Sequence, residues 1–314
     1  MKGLFHGTTN LDSLYRVPRS LPANGKMAAS AFRFATGGPP TVAAKVFRHL
    51  GGEAALFSLV GRHPLREFML ADLDRYGIRH HDLDAQRCTW PPLAAVIVSE
   101  SSGDRAIVYT CPDTPNPEYP ERLPLEGEAL EAALADARVL LIDGNHWQSA
   151  RTLLHACRRR GVTTVLDTGS WKPGMEWLLP LLDVVIASVD FRPEGVVDAE
   201  ALFSFLGGYG VERIAITRGE ASVLWRERGR GGRERKGWEA GGEIPVARVT
   251  VVNTLGAGDV FHGFFCHAFG GGLDFPAALA LAAEAATEYC TADGLDAWIE
   301  RRSGQGMGGW DRPE

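Results

Sequence analysis

The sequence predicts an α/β fold, doubly wound around a mainly parallel sheet with a small β lobe beside it. Three observations carry that prediction. Short apolar runs alternate with helix-period segments along most of the chain, the order produced by parallel strands joined through crossover helices. Two extended regions interrupt the alternation, and a β-branched run near the C-terminus leads through a glycine-rich turn into an apolar helix.

The middle of the chain shows the alternation best. Residues 139–143 read as a buried strand, 149–160 as a helix and 163–167 as the next strand. The helix closes on Arg158, Arg159 and Arg160 followed by Gly161; cations suit the negative end of a helix dipole, and glycine suits the left-handed residue that ends a helix. A strand at 184–187, a helix near 198–207 and a strand at 213–217 repeat the unit. Residues 12–36 and about 88–111 are the interruptions. In the second, 93–99 and 105–110 flank the turn-forming Ser101-Ser102-Gly103-Asp104. Together they predict a discontinuous β lid on one α/β domain spanning 1–300. The charged, glycine-rich stretch 226–243 reads as an exposed hairpin tip and 301–314 as a flexible tail.

Composition narrows the function. Lys plus Arg number 33 against 39 Asp plus Glu, a net charge of −6. That leaves no basic surplus for a nucleic-acid backbone. With 45% hydrophobic and 23% charged residues, a packed core is expected. The five cysteines are odd in number and contain no Cys-x-x-Cys pair, so a reduced, cytoplasmic protein is expected. No apolar stretch approaches the ~18 residues of a membrane span.

The chemistry concentrates at Asn253-Thr254-Leu255-Gly256-Ala257-Gly258-Asp259. Backbone N–H groups of Gly256, Ala257 and Gly258 at the start of a helix form a candidate anion hole. Asp259 beside such a hole would repel a phosphate unless it accepts a proton from an attacking hydroxyl. The four residues Gly-Ala-Gly-Asp alone fit better a tight turn with an aspartate capping the helix; the ordered context of strand, Asn-Thr, turn and helix reverses that preference. Signatures such as G-x-x-x-x-G-K-[ST], H-E-x-x-H and an N-terminal G-x-G-x-x-G are absent.

This segment closely resembles the signature of the ribokinase-like, or PfkB, carbohydrate kinases, with ketohexokinase-like and sulfofructose kinase-like members the most similar. The resemblance runs from about Gly7 to Trp298. It implies a ribokinase-like three-layer sandwich with a small β-sheet lid, and ATP and Mg²⁺ as cofactors. Asp259 would be the catalytic base, and the 256–258 amides would hold the transferred phosphoryl group. Gly37-Gly38, followed by Ala43-Ala44 and Leu50-Gly51, resembles the Gly-Gly signature that borders the sugar, and Asp12 resembles the early aspartate that binds sugar hydroxyls. Thr217-Arg218-Gly219 resembles the nucleotide-side Thr-x-Gly turn, and Thr254 and Cys290 fall on the same side. Asn145 and, from the lid, Arg105 are further candidates for substrate binding. A homodimer paired through the lid is also implied.

The chain departs from the family at several places. Asn253 replaces the acid that opens the motif, near which many relatives hold a monovalent cation. Val42 replaces a sugar-binding Asn, and Ser222 replaces a glycine of the nucleotide turn. The Asn-x-x-Glu pair that organises magnesium is missing from 187–191, which leaves the metal ligands open. Asn145 stands where sulfofructose kinases place a sulfonate-reading Arg, which argues against a sulfosugar. His80-His81 read as surface residues, and Trp147, Trp171 and Trp177 as packing. Two other readings remain: a nucleoside kinase of the same fold, and a catalytically silent sugar- or nucleotide-binding sensor.

Overall fold

The computed structural model describes residues 1–88, 90–102, 105–110, 123–228 and 237–304. Its main sheet has nine strands. In chain order they are β1 (Lys2–Gly7), β4 (Glu53–Ser58), β5 (Arg79–Asp82), β8 (Ala137–Ile142), β9 (Thr163–Thr168), β10 (Val184–Ser188), β11 (Arg213–Arg218), β12 (Ala221–Glu227) and β13 (Ala240–Ile244). Their spatial order is β13-β12-β11-β10-β9-β8-β1-β4-β5. Pairing is parallel from β5 to β11 and antiparallel across β11-β12-β13.

Because side chains alternate across a strand, the central strands feed two cores. Phe5, Leu56, Leu141, Val165 and Ile186 face one core. It is covered by α1 (Pro39–His49), α7 (Ala257–Gly270), α8 (Phe275–Tyr289) and α9 (Leu295–Ser303), with Leu73 of α2 (Arg66–Arg75) at its margin. Leu4, Phe57, Leu140, Ile142, Leu166 and Val185 face the other, covered by α3 (Gly127–Leu134), α4 (Trp147–Arg158), α5 (Met175–Leu178) and α6 (Ala199–Gly208). Continuous burial on both faces explains why these strands read as unbroken apolar runs. Helix α7 lies hard against α1: a Cβ at Gly263 would stand 2.6 Å from the Ala43 carbonyl oxygen and 2.7 Å from Val46 Cβ.

The lid is a second sheet, in the order β3-β2-β6-β7. It consists of β2 (Asn10–Val17), β3 (Ala31–Gly37), β6 (Leu93–Ser99) and β7 (Arg105–Tyr109). Leu11 of β2 packs with Val60 and Met69 and anchors the lid's base to α2. Strand β7 is exposed along its whole length.

Several expectations need correction. No strand forms at 249–252, where Val249, Val251 and Val252 are exposed. The sheet already ends at β13, and the Val252 and Asn253 N–H groups bond to the Cys290 carbonyl oxygen instead. Residues 301–303 are not tail but the last turn of α9, where the Arg302 guanidinium covers the Phe264 and Trp298 rings. His80 and His81 are not simple surface residues. They lie in β5, where His80 Nε2 is 3.0 Å from Ser58 Oγ and His81 stacks on Phe57. Trp147 packs into the second core, but Trp177 is 56% exposed. The hairpin tip at 229–236, the lid turn at 103–104, Cys111 and the tail from 305 lie outside the described residues.

Candidate active site

The cleft forms where the C-terminal ends of β1, β8 and β9 meet the base of the lid and the start of α7, the position at which open α/β sheets bind ligands. Asp143, directly after β8, is 2% exposed. Its carboxylate accepts from Thr8 N at 2.9 Å, Asn145 N at 2.8 Å and Asn145 Nδ2 at 2.9 Å. Lys172 Nζ donates to the Asp143 carbonyl at 2.7 Å. Burial alone would raise the Asp143 pKa, but Lys172 and these donors reverse the direction and hold it below the usual carboxylate value. Gly7 makes room: at its φ of +147°, a Cβ would lie 2.1 Å from Asp143 Oδ1.

Across the cleft, Asp12 projects from β2. Asn10 Nδ2 donates to it, and a Cβ at Gly37 would sit 2.0 Å from Asp12 Oδ2, so only glycine admits this carboxylate. Gly38, at φ +98°, caps α1 where any Cβ would strike the Thr8 carbonyl, 2.3 Å away. Burial pushes the Asp12 pKa up to about 6, against the opposing pull of Lys45, Asn10 and Arg33. Lys45 escaped the sequence reading. It is 2% exposed inside α1 and donates to the Thr36 carbonyl at 2.8 Å and to Asp72 Oδ2 at 2.7 Å, holding the end of β3 next to Gly37. The signal was a single lysine within the apolar run Val42 to Phe47.

Helix α7 begins after Gly256, which takes φ +82°, and no side chain caps it. Asp259 therefore stands in the first turn without serving as the cap. Burial raises its pKa well above the ordinary value, and the charges of Asp167, Asp12 and Asp143 raise it further. The structure thus brings Asp259, Asp12 and Asp143 into one cleft and adds Asp167, near the end of β9. Asp167 Oδ2 is 3.3 Å from His262 Nδ1, which also donates to the Gly258 carbonyl at 2.7 Å. Neither Asp167 nor His262 had a motif to mark it.

The glycine turn differs from expectation in one detail. Ala257 N bonds to the Thr254 carbonyl at 3.2 Å, so its N–H is already engaged. Gly258 N–H belongs to the first helical turn, which has no intrahelical acceptor, and a Cβ at Gly258 would meet nothing within 4 Å. On the nucleotide side, Gly219 takes φ +63° at the end of β11 with open space around it. Thr217 Oγ1 points back to the Ala187 carbonyl at 3.4 Å. Ser222 is bound by Arg218 Nη2 at 2.6 Å and by Glu243, which draws it toward the sheet edge. The backbone at Gly219 and Gly258 is open, with room for a phosphate-sized group.

Two substrate-side candidates make contacts within the chain. The amide N–H groups of Asn145 go to Thr8 Oγ1 at 2.8 Å and to Asp143, so Asn145 organises the cleft wall. Arg105 reaches from the lid to Thr254 Oγ1, beside the glycine turn. Cys290 is half-buried; burial raises its thiol pKa and Arg105 opposes the rise.

Known proteins share this fold. The chain matches the pfkB family carbohydrate kinases over residues 4–301. It is 22% identical over 273 residues to a deoxyribokinase of Salmonella typhi, covering 82% of this chain and 83% of the relative. A ribokinase-type structure from Agrobacterium tumefaciens aligns at 26% identity over 93% of this chain and 92% of its own, with a TM-score of 0.77. Arabidopsis thaliana ribokinase, solved with ribose and ATP, aligns at 18% identity over 93% of each chain, with a TM-score of 0.71. The chain belongs to the pfkB family of carbohydrate kinases, phosphotransferases that act on a sugar hydroxyl.

Proposed function

We propose that the protein transfers the γ-phosphoryl group of ATP to a hydroxyl of a sugar-like molecule held between Asp12 and Asp259. Asp259 takes the proton from that hydroxyl. Its raised pKa brings its proton affinity closer to neutral pH than that of an ordinary carboxylate, which suits a general base. Asp12, fixed by Asn10 and by the missing side chain at Gly37, orients the acceptor hydroxyls. The Gly256 and Gly258 amides and the N-terminal end of α7 face the developing phosphoryl charge. Mg²⁺ carried on the nucleotide phosphates would neutralise charge during transfer. Arg105 ties the lid to the Thr254 side of the same turn, so closing the lid assembles the site and excludes water.

The carrying observation is the position of Asp259 in the first turn of α7, uninvolved in capping, in a cleft shared with Asp12. The test is ADP release by Asp259→Asn over a panel of ketoses, aldoses, acidic sugars and nucleosides. Turnover is expected to fall by roughly 10²–10⁴-fold, with ATP affinity retained. Unchanged turnover refutes the role.

The lid supports a homodimer. Phe34, Ile107, Val108 and Tyr109 are exposed on its strands at 48%, 40%, 72% and 68%, and an uncovered sheet edge is a ready pairing surface. Sedimentation at micromolar concentration is expected to show two copies, and a monomer alone removes this part of the proposal. No helix of the described residues is long and apolar enough to cross a membrane.

A further inference from the structure

The resemblance places a monovalent cation near position 253, and the residues present there do not fit one. A hard cation needs several oxygen donors at once. Asn253 carries no charge, and its Oδ1 already accepts the Leu255 N–H at 2.8 Å. The Cys290 carbonyl beside it accepts two N–H groups, from Val252 at 2.8 Å and Asn253 at 3.2 Å. The Leu255 carbonyl accepts from Tyr289 Oη. Asn253 Oδ1 and the Cys290 and Leu255 carbonyl oxygens thus already serve the protein's own donors.

Positive charge reaches these loops from another source. Three lid strands each send a guanidinium to them. Arg105 of β7 donates to Thr254 Oγ1 and acts electrostatically on both Tyr289 and Cys290. Arg16 of β2 pairs with Asp293. Arg33 of β3 pairs with Asp296 at 3.2 Å, and its Nη2 stands 2.3 Å from where a Cβ on Gly294 would lie. At φ +90° only glycine suits that backbone, and only glycine leaves room for the guanidinium.

We infer that Arg105 of the lid, rather than a bound monovalent cation, supplies the positive charge beside the 256–258 turn, which makes turnover independent of potassium and ties it to the position of the lid. The inference rests on the kinase reading, and its test separates the two. Melting temperature is measured first, in potassium chloride and in tetramethylammonium chloride at equal ionic strength. Equal melting curves are expected; a saturable rise with potassium reveals a bound cation and overturns the inference whether or not the protein turns over. ADP release is then followed in both salts, where less than about a twofold difference is expected and a saturable activation of about tenfold or more overturns it. Arg105→Ala is expected to lose about tenfold or more in turnover, partly restored by millimolar guanidinium and not by potassium. Unchanged turnover in Arg105→Ala, or rescue by potassium alone, also overturns it. No ADP release from the wild type with any acceptor in either salt refutes the kinase reading, while the melting curves still decide the cation.

Discussion

The two walls of the cleft treat a carboxylate in opposite ways. Asp143, on the sheet side, accepts three hydrogen bonds and has Lys172 close by, so it stays ionised and ties β1 to β8. Asp259, on the helix side, has no side-chain hydrogen bond among the described residues and is surrounded by the charges of Asp167, Asp12 and Asp143. A satisfied carboxylate stabilises, and a frustrated one is available for proton transfer. Chemistry here is located by where hydrogen bonds are withheld.

The largest effect that would break this contrast is on turnover. Asp259→Asn abolishes proton acceptance, whereas the same change at a merely structural carboxylate would lower the folded fraction and leave the turnover of the surviving molecules intact. Next in size is stability. Asp143→Ala strands the half-buried Thr8 and Asn145 donors and is expected to cost about 2 kcal/mol, roughly 3 °C in Tm for a chain of this size. Asp259→Asn should move Tm the other way, upward by about 1 kcal/mol's worth, because it removes a charge repelled by Asp167, Asp12 and Asp143. Calorimetry on both variants checks the opposite signs. Gly37→Ala comes third. Its methyl group would displace Asp12, and the acceptor KM is expected to rise about tenfold, near 1.4 kcal/mol, with the ATP KM unchanged.

How much of this was legible in the sequence follows from the range of each interaction. Strands β8 to β11 were readable because burial on both faces writes a continuous apolar run into local sequence. Gly37, Gly38 and Gly256 were readable because one backbone conformation or one close approach demands glycine. The false strand at 249–252 had the β-branched residues but no neighbouring edge to pair with, and partners are a tertiary fact. Lys45, Lys172, Asp167 and His262 were invisible as a set because the first pairs with Asp72 on α2, the second bonds the Asp143 carbonyl, and the last two meet across β9 and α7. Asn145 is legible as a strand-end residue on the cleft wall, but only the structure shows that its amide nitrogen bonds Asp143 and Thr8.

The smallest expected effect sharpens the contrast most. Asp259 must be ionised to accept a proton, so turnover should rise with pH as Asp259 loses its own proton, and its raised pKa places that acid limb above the ordinary carboxylate range. Of the neighbouring charges, Asp167 contributes most to the rise after burial itself. Replacing Asp167 with Asn removes a repulsive charge and lowers the Asp259 pKa, so the acid limb of kcat moves to lower pH. A substitution that only loosened the fold would lower the plateau without moving the limb. Asp74→Asn, at an exposed position on α2, should leave both in place. If the limb stays fixed in Asp167→Asn while the plateau holds, Asp167 does not act on the base, and the rise comes from burial and from Asp12 and Asp143.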